Sequence, residues 1–173
     1  MEDTTFWQFQ QRGMSPVLLE FLSRASISLL TQAREVLKDT REEQWRFAVV
    51  LAHAACDLQT EQAINDLIEL KQVGYLRAAL QKTKRANLDN DCAKKVYAAL
   101  SDGDQPWLAA KEPTDPPQAD WWSEWSASWQ RRCGVAHAGV TVTHDEANRT
   151  IDACEKYVLH LMRKVEDLTK PKS

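Results

Sequence analysis

Residues that stop a helix are scarce in this chain, and they are gathered in few places. Of 173 residues only 6 are Pro and 5 are Gly, and four of the Pro fall between 102 and 120. A helix-interior Pro loses a hydrogen bond and clashes with the preceding turn, and Gly weakens a helix by about 1 kcal/mol relative to Ala. With both kept apart, the remaining segments can run as long helices. Their composition suits packing: 43% hydrophobic and 27% charged residues is the balance of a globular chain. One domain spanning 1–173 is expected, since 19.8 kDa is enough to bury a sizeable core.

Helix boundaries are written in local chemistry. Ser15-Pro16 reads as an N-cap followed by Pro at the first helical position, opening an N-terminal helix and arm within 1–41. Behind it Ala25, Leu29, Ala33 and Val36 recur at spacings of three and four. A second helix is predicted from about Glu43 to Gln72, ended by Gly74 and apolar on nearly every side between Trp45 and Leu58, as a central helix would be. A third is predicted over Tyr75 to Arg85 and a fourth from Asn90 to Leu100, stopped by Asp102-Gly103. The acidic, Pro-rich stretch 102–120 reads as a loop. A fifth helix starts near Asp120 and ends near Gly134 or Gly139. The last opens on Thr143 and Glu146, spaced as a capping box, and carries a seam of Ile151, Cys154, Val158, Leu161, Val165 and Leu168. The fold expected is an all-α, up-and-down bundle of five to six helices.

Several function classes are disfavoured. The sequence contains no phosphate-cradling glycine loop, zinc-protease motif or nucleophile elbow. Cys56, Cys92, Cys133 and Cys154 are scattered and read as free thiols of a reducing cytoplasm. His53, Cys56 and Asp57 share a helix, but nothing nearby is spaced to complete a metal site, so neither metal nor cofactor is expected. No leader is visible at the start, and no apolar run approaches the ~18 residues of a membrane span. The net charge of −3 is uneven: 71–95 holds seven basic residues against two acids, leaving the remainder at −8. Lys82, Lys84, Arg85, Lys94 and Lys95 are therefore candidates for contacting a polyanion such as RNA, against the plainer reading of a solvated helix pair.

The richest stretch is WQRRCGVAHAG, with Arg131 and Arg132 ahead of His137. Arg offers a fixed charge and a forked donor that fits a phosphate. His exchanges a proton near neutral pH. RNA cleavage without metal needs both: a base for the ribose 2′-hydroxyl and a cation for the charge developing on phosphorus. On a continuous helix, residues five apart point about 140° from each other. The pair can meet only if the helix breaks, for which Gly134 is placed, or if two chains contribute. The plainer alternative is a helix end whose basic groups interact with its terminal carbonyls.

This segment, Arg132 to His137 followed by Gly139 and the Thr143–Ala147 helix start, resembles the HEPN superfamily. The resemblance extends loosely over 45–168 and is specific only between the Arg and the His. It implies a HEPN-like bundle that dimerises, with Arg and His of both chains meeting at the interface. The activity implied is metal-independent RNA cleavage in defence, toxin–antitoxin or stress systems, with RNA and an antitoxin or defence protein as partners. Some members are non-catalytic binding modules. Cys133 stands where active members carry a polar residue, and Gly139 where some toxins carry a modifiable Tyr.

Two stripes complete the reading. Arg46, His53, Asp57 and Glu61 align on one helix face. They read either as a solvent edge with a His53/Asp57 surface pair or, as the resemblance implies, as a face that orients the Arg132/His137 site with Arg131 and Cys133 in support. Trp121, Trp125 and Trp129, with Trp122 beside them, read as core or dimer face, with base stacking as the alternative.

Overall fold

The computed structural model describes residues 24–76, 87–108 and 120–170. Five helices follow in order: α1 (Arg24–Leu37), α2 (Glu42–Leu70), α3 (Asp91–Leu100), α4 (Asp120–Ala138) and α5 (His144–Thr169). No strand occurs among the described residues, so the chain is an all-α bundle. The Ser15-Pro16 helix start, most of the 75–85 helix and 109–119 of the Pro-rich loop lie outside the described residues. None of the described helices is long and apolar enough to cross a membrane.

Helix α2 is the axis of the bundle, packed against α1, α4 and α5, with α3 on its flank. Its Ala48, Ala52, Ala55, Cys56 and Ala63 are fully buried. Small side chains on successive turns let neighbouring backbones approach closely, so α2 can pack against several helices at once. The seam on α5 is buried as well, at Ile151, Cys154, Val158, Leu161 and Val165. Polar groups pin the layers. Arg34 reaches from α1 to Asn148, Asp152 and Glu155 on α5. The Thr60 hydroxyl donates to the Cys56 carbonyl, so the 2.6 Å contact leaves Tyr157 donating to Thr60. Tyr157 in turn accepts the Leu88 amide at 3.2 Å, which fixes the turn before α3.

Local signals set the helix ends. Asn90 caps α3 by accepting the amides of Cys92 and Ala93. Thr143 accepts the Glu146 amide at 3.2 Å while Glu146 accepts the Thr143 amide at 2.9 Å, a complete capping box. Asp102 and Gly103 both adopt positive φ after α3.

Candidate functional site

The site is built on α4, whose two faces do different work. Its Trp face is core: Trp122, Trp125 and Trp129 are buried, and the Trp125 ring stacks on Tyr157 at 4.6 Å. Rings so enclosed are not a stacking platform for bases. Trp129 closes the row, and a guanidinium lies over it: Arg132 Cζ is 4.8 Å from the ring centroid. The Arg132 Nε has no hydrogen-bond partner among the described residues.

His53 on α2 meets the same aromatic row from below. It lies edge-on to Trp129 at 5.4 Å and is fully buried, so it is no part of a solvent edge. The Ser128 hydroxyl donates to the Trp125 carbonyl at 2.7 Å, so its oxygen accepts from His53 Nε2 at 3.1 Å. That assigns the proton to Nε2 and leaves Nδ1 as a bare lone pair, unpartnered. Burial first, then the charge of Arg132, lowers the His53 pKa to about 3. His53 is thus a neutral wedge between α2 and α4, not a proton acceptor at neutral pH.

The neighbouring arginine is occupied differently. Arg131 donates to Thr150 at 3.0 Å and faces Glu146 at 3.8 Å, tying α4 to the start of α5. Arg131 thus has partners on α5, whereas Arg132, also half-buried, lies against Trp129 with its Nε enclosed. Cys133 is half-buried and His137 is exposed on the last turn.

Helix α4 does not break at Gly134; it continues to Ala138 and ends at Gly139, whose φ is +63°. Gly134 instead receives Val140, which folds back so closely that a Cβ on Gly134 would lie 3.1 Å from Val140 Cγ2. The Val140 amide donates to the Gly134 carbonyl at 3.3 Å. Arg132 and His137 therefore share one unbroken helix and diverge by about 140° within a chain.

Beside this helix end runs an open groove of about 280 Å³, lined by Glu43, Arg46, Phe47 and Val50 of α2 and by Val135 and Ala136 of α4. Arg46 spans it, donating to the Gly139 carbonyl at 3.4 Å. Phe47 is 51% exposed and Val140 46%. The polar stripe of α2 is thus divided. Arg46 and His53 face α4, Asp57 accepts from Asn87 at 2.8 Å, and Glu61 is exposed.

The basic candidates are also separated. Lys94 lies 5.9 Å from the Trp122 ring and 3.8 Å from Asp91, with Lys95 exposed beside it. Trp122 precedes Arg132 by ten residues, so these lysines sit about 15 Å along α4 from the guanidinium. Lys82, Lys84 and Arg85 lie outside the described residues. One polar cluster escaped the sequence reading: Asp104 accepts from Tyr97 at 2.5 Å and contacts His160 Nε2 at 2.8 Å. Its members are 7 and 56 residues apart in the chain, and nothing in their spacing links them. No family model, no curated protein and no solved structure matches this chain.

Proposed function

We propose that the protein is a HEPN-type endoribonuclease that acts as a homodimer and cuts RNA without a catalytic metal. The observation that carries this reading is the state of Arg132. Its guanidinium lies over a buried Trp, its Nε enclosed and its terminal nitrogens without a partner among the described residues, five residues before an exposed His137. A guanidinium so fixed loses little freedom on taking a phosphate oxygen. His137 takes the proton of the ribose 2′-hydroxyl, and that oxygen attacks phosphorus as the P–O5′ bond breaks. The products are a 2′,3′-cyclic phosphate and a 5′-hydroxyl, the latter receiving a proton from solvent or imidazolium. Arg132 stabilises the charge gathering on the phosphorane-like transition state. Since α4 runs unbroken, the working pair is Arg132 of one protomer and His137 of the other, brought together by a two-fold axis across the exposed Phe47/Val140 edge. A role in a defence, toxin or stress-response system, with RNA and a controlling protein as partners, follows from the same reading.

A binding module without catalysis is favoured by one feature, the engagement of Arg132 with Trp129 rather than with a neighbour of His137. Purified protein with RNA oligonucleotides in EDTA separates the two. The nuclease releases cyclic-phosphate ends, and His137→Ala and Arg132→Ala slow it by ~10²–10⁴-fold. An inert wild type, or an H137A variant as fast as the parent, selects the binding module.

A further inference from the structure

We propose that His53, Cys56 and Cys154 form a buried site for one thiophilic d¹⁰ cation, Zn(II) or Cu(I), that clips α2 to α5. One donor atom of each residue lies within 4.8 Å of those of the other two, and all three side chains are fully buried. The i, i+3 spacing sets His53 and Cys56 on one face of α2. Cys154 arrives from α5, where the Cys56 thiol already approaches its carbonyl at 3.8 Å. This is the ligand that the α2 sequence lacked; Asp57, the neighbouring candidate, is turned to Asn87.

Two features separate the cluster from a chance gathering of thiols. First, His53 Nδ1 is a lone pair sealed in the interior with no hydrogen-bond partner. An orphaned buried acceptor costs free energy, and a cation satisfies it. Second, the other ring nitrogen is held by the Ser128 hydroxyl, itself fixed by the Trp125 carbonyl. Metal-binding histidines are oriented by such an outer hydrogen bond. With bonds of about 2.0–2.3 Å, ligand atoms around Zn(II) or Cu(I) stand roughly 3.5–4 Å apart, so from separations within 4.8 Å the trio closes by at most about 1.3 Å. Two thiolates and a neutral imidazole leave a Zn(II) complex uncharged, as a desolvated site requires. Cu(I) accepts the lower coordination of two sulfurs and an imidazole, and stays uncharged there if one cysteine keeps its proton.

The test uses the full reduced chain, first freed of metal. It is titrated with Co(II) as a spectroscopic stand-in for Zn(II), and with Cu(I) from a chromophoric chelator. One equivalent should bind, either with thiolate-to-Co(II) charge-transfer bands that Zn(II) abolishes or by withdrawing Cu(I) from the chelator. Cys154→Ala and Cys56→Ala should lose it, Cys92→Ala should keep it, and Ser128→Ala should weaken it by ~10–100-fold. If the core cysteine variants fail to fold, X-ray absorption of loaded wild type decides, with two sulfurs and one nitrogen as the expected shell. No stoichiometric binding, a Cys56–Cys154 disulfide in place of the metal, or a shell without both sulfurs overturns the proposal. The result stands apart from whether the protein cuts RNA.

Discussion

At the scale of single residues, hydrogen-bond direction does most of the deciding. The Ser128 proton goes to the Trp125 carbonyl, and from that the His53 tautomer follows. Asp104 shows the same logic with a charge. Burial works against its ionised form, yet hydrogen bonds from His160 and Tyr97 outweigh it and hold the carboxyl below its ordinary range. A carboxyl with a depressed native pKa stabilises the fold above the unfolded-state value of about 3.9, and the contribution fades as pH falls through the native one. Asp104→Asn should therefore lower stability by about 1–2 kcal/mol at pH 7, discounted for its partial exposure. The gap from wild type should begin to close only below about pH 4 and vanish as pH falls past the native value. Urea unfolding of both proteins at neutral and acidic pH measures it, and a gap independent of pH would mean the charge does nothing. Little of this was legible beforehand. Arg131 and Arg132 are adjacent and chemically identical, and only the positions of Thr150, Glu146 and Trp129 give one polar partners and lay the other against a ring. His53 looked like part of a surface stripe because its burial is imposed by Trp125 and Trp129, some seventy residues away.

At the scale of elements, what the chain announces locally it also does. Thr143 with Glu146, Asn90, and Gly139 act within a turn of themselves, so their roles survive any tertiary arrangement. Gly134 is the instructive exception. Its chemistry permits a helix break, but α4 is held ahead of it by the Trp row and the Arg131 contact with α5, and behind it Val140 folds back with its amide on the Gly134 carbonyl, so it stays helical. A Gly inside a helix costs about 1 kcal/mol relative to Ala. Against that gain, an added Cβ meets Val140 at 3.1 Å, and Val140 is a half-exposed side chain able to yield. Gly134→Ala should thus stabilise the protein by up to ~1 kcal/mol and leave RNA cleavage intact. Thermal unfolding and the cleavage assay check the two halves. Loss of cleavage in a G134A variant that is folded and still dimeric would restore the hinge that the continuous helix denies.

At the scale of the whole molecule, an unbroken α4 converts a statement about one helix into one about symmetry. Arg132 and His137 diverge on a rigid rod, so a chain acting alone offers a cation and a base in different directions. In the proposed dimer, a two-fold axis near the Phe47/Val140 edge would create two composite sites, because an isologous contact repeats each pairing. Mixing then gives a quantitative test. Arg132→Ala and His137→Ala proteins, each inert, are unfolded together and refolded as a mixture. Half of the dimers are heterodimers, and each of these regains one site built from the intact Arg of one chain and the intact His of the other. Activity should return to roughly a quarter of the wild-type level, with the stoichiometry of random assortment. If both groups of a working site came from one chain, no mixture of these two variants would contain a complete site, and cleavage would stay at the level of the separate proteins.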